Sequence, residues 1–280
     1  MKLLSIRHDD KEHVAELEGE TLHLLDAPSM LALIDAGGAV RTGATLPLEG
    51  VAILAPIPRP RRNILCVGKN YHAHAHEFTR SGFDSSASSA ADAIPEHPIL
   101  FTKFPETVIA SGDLIPYPDG VSEAVDYEAE IAVVIGKTCR RVSKADALAH
   151  VFGYTLINDV TARDLQKLHK QWFIGKSLDG FCPMGPALVT ADSVAVDAID
   201  IECRVNGEQR QAAISRDLIF DIPTLIETLS AGITLYPGDV IATGTPVGVG
   251  IGFDPPKYLK KGDVVEVSSS AIGLLTNSVA

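Results

Sequence analysis

The sequence is short of cysteine, of basic charge and of long apolar runs, and each shortage removes a class of protein. Its 4 cysteines, Cys66, Cys139, Cys182 and Cys203, are isolated and show no CxxC spacing. That argues against a disulfide framework and predicts buried thiols in a reducing cytoplasm. Only 24 Lys and Arg stand against 36 Asp and Glu, a formal charge of −12. Nucleic acid would be repelled from such a chain unless it gathered a basic patch. No stretch approaches the ~18 apolar residues that span a bilayer. The N-terminus turns charged at Arg7, Asp9, Asp10, Lys11 and Glu12, too early for a signal peptide. Several catalytic signatures are missing too. The turn Gly244–Gly250 lacks the Gly-Lys-Ser/Thr ending of a P-loop, and Pro246 prevents the helix that a dinucleotide fingerprint would open. There is no Gly-x-Ser-x-Gly, no HExxH and no internal repeat of 20–50 residues.

What remains is a soluble globular composition, 280 residues with 46% hydrophobic and 21% charged, enough to bury a full core. At about 150 residues per domain the length suggests one large domain and a smaller one. Residues 1–60 read as a small α+β unit: a short antiparallel pair around Leu3–Ile6 and Val14–Leu17, then a helix over Met30–Ala36 stopped by Gly37-Gly38. Pro56, Pro58 and Pro60 alternate with Arg59, Arg61 and Arg62, an extended connector that puts a boundary near residue 60. From residue 61 to 280 short apolar strands dominate: Ile64–Val67, Glu130–Ile135, Tyr154–Ile157, Ala187–Thr190, Ile201–Val205, Val240–Ala242 and Val264–Val267. Helices are expected at Lys144–His150, with Ser143 as N-cap, at Thr161–Lys170 and at Ile222–Ser230. This is a β-rich α+β pattern, not a doubly wound one. Ser81–Ala93, nearly all Ser, Ala, Gly and Asp, reads as a mobile loop, either a plain insertion or a lid.

The segment Val125–Ile135 carries the densest chemistry. On a strand Glu128 and Glu130 share one face about 6–7 Å apart, while Tyr127, Ile131, Val133 and Ile135 occupy the other. Two half-buried carboxylates repel each other unless one is protonated or a cation sits between them, and Mg²⁺ or Mn²⁺ satisfies both; a solvated edge strand is the plainer reading. Asp159, at the end of the apolar strand before a helix, is either a cap or the third carboxylate such a site lacks. Arg163 and Lys176 follow and can hold an anionic substrate or an enolate. In Gly68–Glu77, His74 and Glu77 are i,i+3 neighbours on a helix, so the carboxylate can orient the imidazole as a general base. His72 and His76, at i,i+4, offer a zinc spacing with no third ligand. The Gly238–Gly250 turn is either purely structural or a cradle of backbone N–H groups with the Thr245 hydroxyl beside a bound carboxylate.

In this order the motifs resemble the fumarylacetoacetate hydrolase superfamily, from about Pro56 to the C-terminus. They are Val67-Gly68-Lys69-Asn70-Tyr71 with His74 and Glu77; Asp126-Tyr127-Glu128-Ala129-Glu130; Asn158-Asp159 through Arg163-Asp164-Leu165-Gln166; Gly175-Lys176-Ser177; and Gly238-Asp239 through Gly250. The resemblance implies a mixed β-roll catalytic domain, usually in homodimers, with Mg²⁺ or Mn²⁺ on Glu128, Glu130 and Asp159. It implies that His74 and Glu77 sit with residues 78–97 on a lid and act with Lys176 as the catalytic groups. Arg163, Gln166, Thr245 and Tyr71 then bind substrate.

The expected activity is metal-dependent hydrolysis of a C–C bond in an acylpyruvate or fumarylpyruvate, releasing pyruvate and a carboxylic acid. Oxaloacetate decarboxylation and the isomerisation or hydration of a 2-oxo diacid are alternatives on the same platform. A non-catalytic metal-binding domain is a more distant one. The partners expected are small anionic 2-oxo acids, without nucleic acid or membrane. The charge is also localised. Between Phe104 and Gly136, Glu106, Asp113, Asp119, Glu123, Asp126, Glu128 and Glu130 meet no Lys or Arg, and supply seven of the twelve excess negative charges.

Overall fold

The structure, a computed structural model, describes residues 1–83 and 92–280. Of the segment expected to form a lid, residues 78–97, the stretch 84–91 therefore lies outside the described residues. The chain opens with an antiparallel meander, β1 (Lys2–His8), β2 (Lys11–Glu18) and β3 (Thr21–Leu25), followed by α1 (Met30–Ala36) and β4 (Arg41–Pro47). Ser29 caps α1 by accepting the Ala32 N–H, and Gly37 closes it at φ 72°, as the glycine pair predicts. Next come β5 (Ile64–Gly68), α2 (His72–Arg80) and β6 (Ile99–Lys103). The middle of the chain gives β7 (Ala129–Ile135), β8 (Val151–Asn158), α3 (Arg163–Leu168), α4 (Phe173–Lys176) and β9 (Cys182–Thr190). The last third supplies β10 (Asp200–Val205), β11 (Glu208–Ile214), α5 (Ile222–Ser230), β12 (Val240–Ala242), β13 (Val264–Ser269) and β14 (Gly273–Val279).

One mixed sheet of 12 strands runs β4-β3-β2-β1-β9-β8-β7-β12-β5-β6, with two further short strands beside it. Its pairs are antiparallel except β12 with β5 and the short Val108–Ile109 strand with β9. A second sheet of 5 strands contains β11-β10-β13-β14 and Leu114–Ile115. β7 lies between two cores, every residue buried. Ala129, Ile131, Val133 and Ile135 pack with β10, β13 and α5. Ala132 and Val134, on the face of Glu130, pack with Leu3, Val14, Met30 and Leu33 from the N-terminal region. The period-2 pattern thus places Glu130 inside the molecule, which excludes the solvated edge strand.

The structure departs from the sequence-based expectation in three places. Val125–Ile135 is not one strand: Val125–Asp126 pairs with Thr161–Ala162, and β7 starts only at Ala129. The Asp126 carboxylate accepts the Tyr127 N–H, and the Asn158 amide oxygen accepts the Glu128 N–H, so side chains replace the ladder there. The helix expected from Thr161 therefore starts at Arg163 and stops at Leu168. Lys144–His150 forms only a 3₁₀ turn, Ala147–His150. Ser143 donates to the Asp146 carboxylate instead of capping, the Lys144 N–H goes to Glu227, and only Ala147 is buried, too little apolar surface to hold a longer helix. The 4 cysteines are free and buried, as expected. Among the described residues no helix is long and apolar enough to cross a membrane.

Candidate active site

Adjacent ends of β7 and β8 bring three carboxylates together. The Asp159 N–H donates to the Glu128 carbonyl at 2.8 Å, and the Asn158 side chain holds the Glu128 N–H at 3.0 Å. This crossing strap sets Glu128, Glu130 and Asp159 so that one oxygen of each lies within 4.8 Å of the others, all buried. Among the described residues no other group of His, Cys, Asp or Glu is close enough to share a metal ion. His72 and His76 are exposed on α2 and hold no such position.

Buried cations surround the carboxylates. Lys176 Nζ lies 2.5 Å from Glu128 and 2.7 Å from Asp159. Lys103 Nζ donates to the other Asp159 oxygen at 2.7 Å and to the Val160 carbonyl at 3.1 Å. Arg163 bridges Asp126, at 2.8 Å, and Glu128, at 2.7 Å. Burial opposes ionisation of Glu128, but Lys176 and then Arg163 outweigh it and hold its carboxyl at about 2. Burial also disfavours the Lys176 ammonium, yet Asp159 and Glu128 raise it above its ordinary value, so it stays charged. Among the described residues Glu130 has one hydrogen bond, from the Gly244 N–H at 2.8 Å, and its carboxyl is pushed well up by burial, then by Asp159 and Glu128, against the opposing charge of Lys176.

That imbalance fits a cation. Around the site the buried carboxylates are Glu77, Asp126, Glu128, Glu130 and Asp159, and the buried cations Lys69, Lys103, Arg163 and Lys176. One carboxylate is in excess, it is Glu130 that burial and its neighbours penalise, and hard oxygen donors suit Mg²⁺ or Mn²⁺. A divalent ion would turn the balance positive, as an anionic substrate requires.

Facing the cluster is α2. His74 Nδ1 lies 3.0 Å from Glu77 Oε2, both nearly enclosed, and Glu77 is itself held by the Gly248 N–H at 3.0 Å. The glycine-rich turn thus spends its backbone donors on the protein's own carboxylates: Gly244 on Glu130, Gly248 on Glu77, Gly250 and Ile251 on Asp126. These N–H groups are not available to a substrate carboxylate, which corrects that part of the cradle expected from the sequence. Thr245 does line the cavity, with His74, Glu128, Glu130, Arg163, Gln166 and Lys176. Phe78, Phe101 and Trp172 close it, Arg163 over the Phe78 ring and Lys176 over the Phe101 ring. The space between them is about 10 Å³, on the order of one water. Tyr71 stands at the start of α2, outside the cavity lining. Among the described residues its buried hydroxyl has no hydrogen-bond partner, and burial and then Glu130 raise it above the ordinary phenol value.

The structure brings together nine of the ten residues singled out in the sequence. It adds Lys103, Asp126, Gln211 and Trp172. Asp126 and its neighbours were legible as a motif without a role. A lysine closing the apolar strand Ile99–Lys103 was a faint signal, and Gln211 gave none.

The family model described as fumarylacetoacetate (FAA) hydrolase, C-terminal, matches residues 63–280, and one described as Rv2993c-like, N-terminal, matches residues 1–56. "Oxaloacetate tautomerase YisK" of Bacillus subtilis (strain 168) is 54% identical over 233 residues, covering 83% of this chain and 74% of its own. A solved structure of fumarylacetoacetate hydrolase (EaFAH) from psychrophilic Exiguobacterium antarcticum superposes with TM-score 0.85 at 40% identity, covering 100% of this chain and 99% of that one. A 2-hydroxyhepta-2,4-diene-1,7-dioate isomerase from Mycobacterium marinum gives TM-score 0.82 at 35% identity, covering 100% and 98%.

Proposed function

The chain belongs to the fumarylacetoacetate hydrolase family, and from that premise we propose that it interconverts the keto and enol forms of oxaloacetate or a 2-oxo diacid of the same kind. The relatives move the balance away from C–C hydrolysis, since those just described include one named as a tautomerase and one as an isomerase. The observation that carries the reading is that His74, paired with Glu77, lines one small cavity with Glu128, Glu130 and the Lys176 ammonium, while Asp159 completes the carboxylate cluster. Tautomerisation needs no attacking water. It needs a base at C3 and stabilisation of negative charge on the C2 oxygen.

Glu128, Glu130 and Asp159 would hold the divalent ion, which supplies Lewis-acid polarisation of the 2-oxo group. The bond at Nδ1 leaves His74 Nε2 as the nitrogen that exchanges a proton. Nε2 removes a proton from C3, the C–H electron pair forms the C2=C3 bond, and the C2=O pair moves onto oxygen, which takes up the proton held at Nε2 and returns the imidazole to its neutral form; the reverse reaction retraces these steps. Lys176, kept charged by two carboxylates, stabilises the oxyanion electrostatically. Arg163 and Gln166 orient the carboxylate end, and the Thr245 hydroxyl donates to a substrate oxygen. Entry of an organic acid requires α2 to move away from the cluster. In the same reading the enzyme is a cytoplasmic homodimer, with its thiols kept reduced, small anionic 2-oxo acids as its substrates, and neither nucleic acid nor membrane as a partner.

The test follows the ultraviolet absorbance of enol-oxaloacetate with Mg²⁺ or Mn²⁺, alongside pyruvate release from oxaloacetate and from acetylpyruvate. Enol decay should accelerate over its uncatalysed rate, return to that rate on chelation, and show an enzymatic contribution lower by about 10²-fold or more in His74→Ala. Pyruvate release from acetylpyruvate without any effect on the enol would restore C–C hydrolysis. Stoichiometric CO₂ from oxaloacetate would make the enzyme a decarboxylase.

A further inference from the structure

Gln211, on β11 of the second sheet, is buried and reaches across to the functional strands. Its Oε1 accepts the N–H of Ala129, the residue between Glu128 and Glu130, at 3.0 Å. Its Nε2 donates to the Pro246 carbonyl at 2.7 Å and to Thr245 Oγ1 at 2.7 Å. An amide can be turned over, but here two backbone groups of fixed polarity decide: Ala129 offers only a donor and Pro246 only an acceptor. Thr245 Oγ1 must therefore accept. Its own proton is left for another oxygen, and Thr245 lines the cavity.

We infer that Gln211 is a positioning residue that makes the Thr245 hydroxyl an obligate donor into the cavity. The site then takes a carboxylate, enolate or carbonyl oxygen at that point and disfavours a ligand donor. The functional consequence rests on the proposed reading of Thr245 as a substrate contact; the donor assignment does not.

Neutron diffraction from deuterated protein tests the assignment without any ligand. Deuterons on Gln211 Nε2 facing Thr245 and Pro246, with the Thr245 deuteron turned to the cavity, support it. A Thr245 deuteron pointing at Gln211 overturns it. The consequence is tested by titrating oxalate, a mimic of the enolate end, into the Mg²⁺-loaded protein. Gln211→Glu, which can only accept, and Thr245→Val should each weaken oxalate about tenfold or more. In the Thr245→Val background, Gln211→Glu should then add less than about threefold. An equal loss in both backgrounds would mean that added charge or a displaced turn is responsible, and would overturn the mechanism. Gln211→Met, which adds no charge, repeats the comparison should the glutamate variant not fold. Absence of oxalate binding to the wild-type protein counts against the functional reading, while the neutron result still decides the role of Gln211.

Discussion

At Glu130, burial and the charges of Asp159 and Glu128 all oppose ionisation, and Lys176 and the Gly244 N–H are too little to offset them. Without a cation that carboxylate strains the fold; with one it becomes a ligand. Glu130→Gln keeps an acceptor for Gly244 and removes the repulsion. It should stabilise the metal-free protein by on the order of 1 kcal/mol, about 2–4 °C in Tm, while abolishing the stabilisation that Mg²⁺ gives the wild type. Thermal melts with and without Mg²⁺ check both halves, and a lower metal-free Tm would count against this account of the site. Glu128 has the opposite sign. Its carboxyl is held at about 2 in the folded chain against an ordinary 4.5, so the folded state binds fewer protons than the unfolded one. Its contribution to stability is complete above about pH 4.5 and is lost as pH falls from there towards 2. In metal-free protein the urea midpoint should fall through that window, and less steeply in Glu128→Gln.

The elements show which local signals suffice. α1, α5 and β12 have the ends expected from the sequence, because Ser29 and Asp221 supply caps and the apolar residues keep one period throughout. The break at Tyr127–Glu128 was not legible. The alternation continues through it, and only the side chains of Asp126 and Asn158, one of them 30 residues away, replace the ladder. The glycine-rich turn was visible as a turn, but not its task of binding three of the protein's own carboxylates. Gly252 shows how close that fit is: a Cβ there would stand 2.0 Å from Glu77 Oε1. Gly252→Ala should push Glu77 from His74 and lower turnover about 10–100-fold, with Mg²⁺ binding intact. Its effect should not add to that of Glu77→Gln. Steady-state kinetics of the two single variants and the double variant check this, and additive losses would mean that Gly252 acts elsewhere.

At the scale of the molecule, the N-terminal strands extend the sheet that carries the site. β1 pairs with β9, and Leu3, Val14, Met30 and Leu33 cover Ala132, Val134 and Leu188. The apolar continuation of the Glu130 face of β7 is thus sealed by residues from the first 35. We expect one cooperative calorimetric transition for the whole chain, and a chain beginning at residue 57 to expose that face and melt well below it. Two separated transitions would show instead that the boundary near residue 60 divides independently stable units.

The sequence by itself determined the β-rich class, the strand and helix periods, and the order of Glu128, Glu130, Asp159, His74 and Lys176, because these depend on residue type and short-range spacing. The tertiary structure alone decided which charges meet. Lys103 reaches Asp159 across 56 residues, Lys176 reaches Glu128 across 48, and Gln211 reaches Ala129 across 82. Contacts at such separations leave no period in the chain. They exist because packing on both faces of one strand excludes water, and a buried charge or amide must then find its partner wherever the fold has placed it.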